Sequence, residues 1–143
     1  MSDPSQGYNA NGASVQSSTD VASSGSRSLK VSFSGYSYAE VGTQLCPSGF
    51  DLYNYTLNFD FYSAAYTGWV VAMAWTGTPA SGQWSSSSNV YITAGQWQTF
   101  HGVFGTDNAT GARYNSTNIG IYTAGDGNPI SGTVYIDNIY LTH

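Results

Sequence analysis

Apolar and polar residues alternate along this chain in short runs, without the three-to-four spacing of an amphipathic helix. Ser28-Leu-Lys-Val-Ser-Phe33 sets Leu29, Val31 and Phe33 on one side. Tyr55-Thr-Leu-Asn-Phe-Asp-Phe61 sets Tyr55, Leu57, Phe59 and Phe61 against Thr56, Asn58 and Asp60. In Gly95–Phe104, Phe100, Gly102 and Phe104 oppose Thr99, His101 and Val103. Asn118-Ile-Gly-Ile-Tyr122 turns Ile119 and Ile121 inward and Gly120 and Tyr122 outward. Over Tyr36–Leu45, Ala39, Val41 and Leu45 suit a core, with Tyr36, Tyr38 and Glu40 opposite. Trp69-Val-Val-Ala-Met-Ala-Trp75 is apolar throughout, as in a strand covered on both faces. Val90-Tyr-Ile92 is a short strand, and Ala13 to Gln16 a short edge strand.

Turn chemistry separates these runs: Asn11-Gly12, Ser23-Ser-Gly-Ser26, Ser34-Gly35, Pro47-Ser-Gly49 and Gly125-Asp-Gly-Asn-Pro129. Two longer polar stretches read as loops, 76–89 around Trp84 and 106–117 with Arg113 and Tyr114. The pattern predicts roughly eight or nine strands and no substantial helix, an all-β antiparallel sandwich or barrel. No repeat or boundary interrupts residues 1–143, so one domain is expected. The closing run Thr133–Thr142 contains a misfit. Asp137 and Asn138 break the alternation of Val134, Ile136, Ile139, Tyr140 and Leu141, and a carboxylate inside a strand needs a partner.

Composition narrows the function classes. Three basic residues, Arg27, Lys30 and Arg113, stand against eight acidic ones, too few to neutralise a run of phosphates or hold an anionic membrane. No apolar run approaches the roughly 20 residues of a membrane span. Four Trp and twelve Tyr argue for a packed domain despite the low charge. Cys46 is the single cysteine and reads as a small apolar residue. Glu40 and Asp60 are the one outward-facing acid pair, and His101 and His143 stand apart, so the chain reads as non-catalytic.

Four segments in order resemble the β-jelly-roll carbohydrate-binding modules attached to bacterial plant-polysaccharide-degrading glycoside hydrolases. They are Ser23-Ser-Gly-Ser-Arg-Ser-Leu-Lys-Val31, Tyr55-Thr-Leu-Asn-Phe59, Gly95-Gln-Trp97 and Tyr135-Ile-Asp-Asn-Ile139. The resemblance covers most of the chain from about Gly12 onward. It implies two sheets in jelly-roll topology, an extracellular monomer and an attached catalytic domain. It also implies that Trp97 packs against its sheet. The family's opening Phe-Glu or Phe-Asp strand has no counterpart, so the chain reads as cut just after it. A structural calcium is implied at Asp137, joined by backbone oxygens around Ser24 to Arg27. The competing reading has Asp137 accepting hydrogen bonds from turn amides.

A sugar ring presents a C–H face to flat aromatics and hydroxyls to amides and carboxylates. Aromatics outside the core register or stranded in loops are therefore the candidates: Trp84 first, then Trp75, Trp69, Tyr36, Tyr38, Tyr122 and Tyr114. Glu40, Asn58, Asp60 and Gln98 are their expected polar partners, while Tyr135 and Tyr140 could belong to core or site. The expected ligand is a neutral β-linked plant polysaccharide: β-glucan (cellulose, mixed-linkage glucan, xyloglucan) first, xylan or mannan next. A structural β-sandwich domain and a small polysaccharide hydrolase or lyase are the rival readings.

Overall fold

The computed structural model describes residues 9–11, 13–36, 38–44, 52, 55–64, 68–75, 84–86, 90–104, 118–125 and 130–143. Among the described residues eleven strands are present: β1 (Asn9–Asn11), β2 (Ser14–Ser18), β3 (Ser28–Tyr36), β4 (Tyr38–Gln44), β5 (Thr56–Ser63), β6 (Gly68–Trp75), β7 (Trp84–Ser86), β8 (Val90–Tyr91), β9 (Trp97–Val103), β10 (Asn118–Gly125) and β11 (Ile130–Thr142). They form two antiparallel sheets, so the fold is the all-β sandwich that the alternation predicts. One sheet runs β1-β4-β10-β6-β7, with β8 also on β6; the other runs β2-β3-β11-β5-β9.

The two inner faces meet as expected for packed sheets. Val41, Val70, Ala72, Ile119 and Ile121 come from the six-stranded sheet, and Leu29, Val31, Leu57, Phe59, Phe61, Phe100, Val134 and Ile136 from the five-stranded one. Phe100 lies 5.5 Å from Phe59 and edge-on to Phe61 at 6.1 Å, so three aromatic rings occupy the centre. Loop residues Leu52, Ile92 and Phe104 also join this core.

Three segments depart from the sequence reading. No turn falls at Ser34-Gly35: β3 continues through them to Tyr36, whose Cα partner is Ile130, and the two residues form a bulge in β3 opposite one residue of β11. Residues 84–86 sit inside the predicted loop 76–89, yet they pair with the end of β6 through Trp75↔Trp84 and Met73↔Ser86. Asn9–Asn11 forms an unforeseen edge strand on β4. All of these pairings follow from neighbouring strands, which local alternation does not record.

The Asp137-Asn138 misfit is a β-bulge. Asp137 pairs with Asp60 and Tyr140 with Asn58, so one residue on β5 faces two on β11. Asn138 adopts φ 50, a left-handed conformation that Asn tolerates better than most residues. The extra residue reverses the parity of the strand. Ile136 before it and Leu141 after it are an odd number of residues apart, yet both pack against the same core.

Candidate functional site

The outward face of the six-stranded sheet is fixed by its buried register. Ile119, Ile121 and Thr123 are buried on β10, so Gly120 and Tyr122 occupy the other side. Antiparallel pairing carries that side across the sheet in rows of Cα partners. Tyr122 stands opposite Val71 on β6 and Glu40 on β4. Ala124 stands opposite Trp69 and Tyr38, and Trp69 opposite Tyr91. Asn118 stands opposite Trp75, and Trp75 opposite Trp84. Six sequence-derived candidates, Tyr38, Glu40, Trp69, Trp75, Trp84 and Tyr122, thus hold register positions on one sheet face.

Trp69 and Tyr122 form the described centre of that face. Their rings stack at 5.4 Å between centroids with 28° between planes. Both are half-buried and cover Val71, which is 4% exposed and belongs to a small cluster separate from the main core. The Thr123 hydroxyl, on the inner side, donates to the Trp69 carbonyl at 3.1 Å and fixes the backbone beneath the indole. Tyr91, 72% exposed, borders the pair at the sheet edge. It was not among the sequence candidates. The signal for it was the alternation of Tyr91 with Ile92, which is buried.

The other candidates lie elsewhere. Tyr36 is on β3, in the five-stranded sheet, and therefore does not join the aromatics of the six-stranded face. Tyr114 lies outside the described residues. Asn58 has the expected parity but is only 4% exposed, because its side chain bridges strands. Its Nδ2 donates to the carbonyls of Thr56 and Tyr140 at 3.3 Å each and to Thr142 Oγ1 at 3.0 Å; its Oδ1 meets His101 Nδ1. Those contacts leave it little hydrogen-bonding capacity for a ligand. Gln98 pairs with buried Phe61, on the inward register of edge strand β9, and its Oε1 accepts the Thr93 amide at 2.6 Å. Asp60 and Glu40 are on different sheets and do not make a facing acid pair across one outer face.

On the five-stranded sheet, the 19–27 loop between β2 and β3 folds over the outward side and is held there by carboxylates. Asp137 Oδ2 accepts the amides of Ser23 at 3.0 Å and Ser24 at 3.1 Å, while Oδ1 accepts the Asn138 amide at 2.8 Å. The Ser23 hydroxyl donates to Asp60 Oδ2 at 2.6 Å, and Asn138 Nδ2 reaches the same oxygen at 2.7 Å. Thr99 Oγ1 donates to Asp60 Oδ1 at 2.7 Å. Burial alone would push the Asp60 carboxyl up, but the hydrogen bonds from Ser23, Thr99 and Asn138 outweigh it and hold the group below its ordinary range. Ser23, absent from the sequence candidates, is the hinge of this network.

Calcium takes six to eight oxygen ligands. Asp137 instead has both oxygens facing backbone N–H groups, and Ser24 offers it an amide rather than a carbonyl. Arg27 places its Nε on Ser17 Oγ at 2.8 Å. Together with Asp137, Arg27 lines a shallow cavity of about 140 Å³ between the start of β3 and the bulge, where Asp137 is the one carboxylate among the described lining residues. Among the described residues no three His, Cys, Asp or Glu side chains come together as a metal-binding group. Among the described residues, Asp137 and the Ser24–Arg27 segment do not by themselves present the oxygen shell that calcium takes.

No protein-family model matches the sequence, and no curated protein matches it. Solved structures do. The CBM22-2 xylan-binding domain from Paenibacillus barcinonensis Xyn10C superposes with a TM-score of 0.69 at 14% identity, over 95% of this chain and 91% of its own. The C-terminal family 22 carbohydrate-binding module of Clostridium thermocellum Xyn10B gives 0.69 at 16%, over 94% and 84%. The fold is that of carbohydrate-binding modules. A Clostridium thermocellum structure in which such a module precedes the catalytic module of xylanase 10B, complexed with xylohexaose, gives 0.71 at 11% identity, over 95% of this chain and 26% of that one.

Proposed function

We propose that this chain is a non-catalytic carbohydrate-binding module that takes one chain of a neutral β-linked plant polysaccharide on the outward face of the six-stranded sheet. The stacked Trp69–Tyr122 pair carries the reading, because its rings lie outside the main core on a side of the sheet that faces away from it. Apolar sugar faces pack on these rings, while polar side chains on the same face orient the hydroxyls. Because several fold neighbours are xylan-binding domains, we rank xylan first among candidate ligands, ahead of the β-glucan expected from the sequence. In this reading the domain is exported with a glycoside hydrolase and raises its local concentration on substrate.

Affinity electrophoresis in gels containing xylan, mixed-linkage glucan, xyloglucan or glucomannan tests this directly. Retarded migration on at least one glycan is expected, without release of reducing sugar on incubation. Unchanged mobility on every glycan sinks the reading.

A further inference from the structure

The outward side of the five-stranded sheet carries aromatic rings that the proposed site does not use. Gln16, Lys30, Tyr135, Tyr62 and Trp97 are successive Cα partners, one from each strand, in a single row across the sheet. Tyr62 lies 5.6 Å from Trp97 with 44° between ring planes and 6.2 Å from Tyr135 with 57° between planes. All three rings are half-buried. Cross-strand aromatic pairs of this kind stabilise a sheet, which explains the ring edges that touch. It does not account for the solvent-exposed sides of Tyr62 and Trp97; over Tyr135 stands Lys30 Nζ, 5.9 Å from the ring centroid, so that ring forms the end of the strip.

The surroundings say what those open sides suit. One flanking row is made of small hydroxyl residues, Thr133, Ser32 and Ser14. On the other flank lie Thr99 and Asp60, already joined to the 19–27 loop through Ser23. The described hydrogen bonds of that loop reach the aromatic row at Tyr135, where Asp20 Oδ2 accepts the phenol at 3.1 Å. The same oxygen pairs with Lys30 Nζ at 2.7 Å, so the row's one cation is neutralised where it stands. Rings between a row of hydroxyls and a hydrogen-bonded carboxylate, with their one cation already ion-paired, fit an uncharged glycan and not an anionic polymer. The successive tilts make a stepped surface, which suits a twisted single chain better than a flat crystalline one.

We infer that Trp97, Tyr62 and Tyr135 form a second binding strip for a single neutral glycan chain, running across the strands on the face opposite the first site. It shares with the proposed function the premise that the domain binds glycan, but none of its residues. Two strips on opposite faces would let one domain bridge two chains, adding avidity or cross-linking.

Titration of ¹⁵N-labelled protein with xylohexaose and with cellohexaose tests the strip without any substitution. The Trp97 indole and the amides of Tyr62, Thr133 and Tyr135 are expected to shift as one set, saturating separately from Trp69, Val71 and Tyr122. Trp69→Ala should silence the second set alone, and Tyr62→Ala should weaken the first about tenfold. Shifts confined to the Trp69–Tyr122 face overturn the second strip and leave the proposed function standing. Shifts confined to the Trp97 row do the reverse, and no shift at either face with either sugar overturns both.

Discussion

On the six-stranded sheet, the outward-facing Trp69 and Tyr122 stack over Val71 at the centre of the face. On the five-stranded sheet, the corresponding central positions hold Asp60 and Asp137, and both carboxylates are occupied by the 19–27 loop. Residue type alone would rank the acids as the better sugar ligands, since carboxylates are strong acceptors. The difference lies in where the lone pairs go. A carboxylate that already receives amides and hydroxyls serves the fold, whereas a ring with an open side remains available.

The two faces should therefore respond to substitution in opposite ways. Asp137→Ala leaves the amides of Ser23, Ser24 and Asn138 without their acceptor and releases the loop. Because water reaches those amides, the expected loss is about 2–3 kcal/mol in urea denaturation, with glycan affinity at the Trp69 face unchanged below the transition. Trp69→Ala should do the converse, weakening affinity about tenfold, near 1.4 kcal/mol, while the protein still melts cooperatively. Equal loss of stability from both variants would erase the contrast.

Acid should act on the pinned face. The folded-state pKa of Asp60 lies below its ordinary 3.8, so its contribution to stability is present above that value and is lost as pH falls through the lowered one. Denaturation midpoints measured from pH 5 down to pH 2 should therefore fall more steeply for the parent than for Asp60→Asn, which has no carboxyl to protonate. The smallest effect expected is from metal removal. Chelation with EDTA should leave the melting temperature unmoved, and a rise on adding calcium would show that residues beyond Asp137 complete a cage.

Much of the sandwich is legible in alternation alone. Leu57, Phe59 and Phe61 on β5 and Ile119 and Ile121 on β10 have the burial that their spacing predicts. The site was legible only in part, because a period of two separates inside from outside without saying which sheet a strand joins. Asn58 and Asp60 have outward parity like Tyr122, yet the topology puts them on the opposite side of the molecule. Trp84 looked stranded among serines because its strand exists only as a partner of β6. The break at Asp137 was visible, but its resolution depends on a left-handed Asn138 and a serine more than a hundred residues upstream.

The position of β11 has a consequence for how the chain is made. It is the last strand in sequence and the middle strand of its sheet, with β2 and β3 on one side and β5 and β9 on the other. As synthesis proceeds from the N-terminus, four flanking strands emerge before the one that joins them. Until it arrives, β3 and β5 present unpaired edges, and most of the pairing in this sheet spans large sequence separations, which slows folding. Ribosome-bound or truncated chains ending near residue 129 should stay protease-sensitive, with the sheet in two halves. The sheet commits to its structure only when β11 is released.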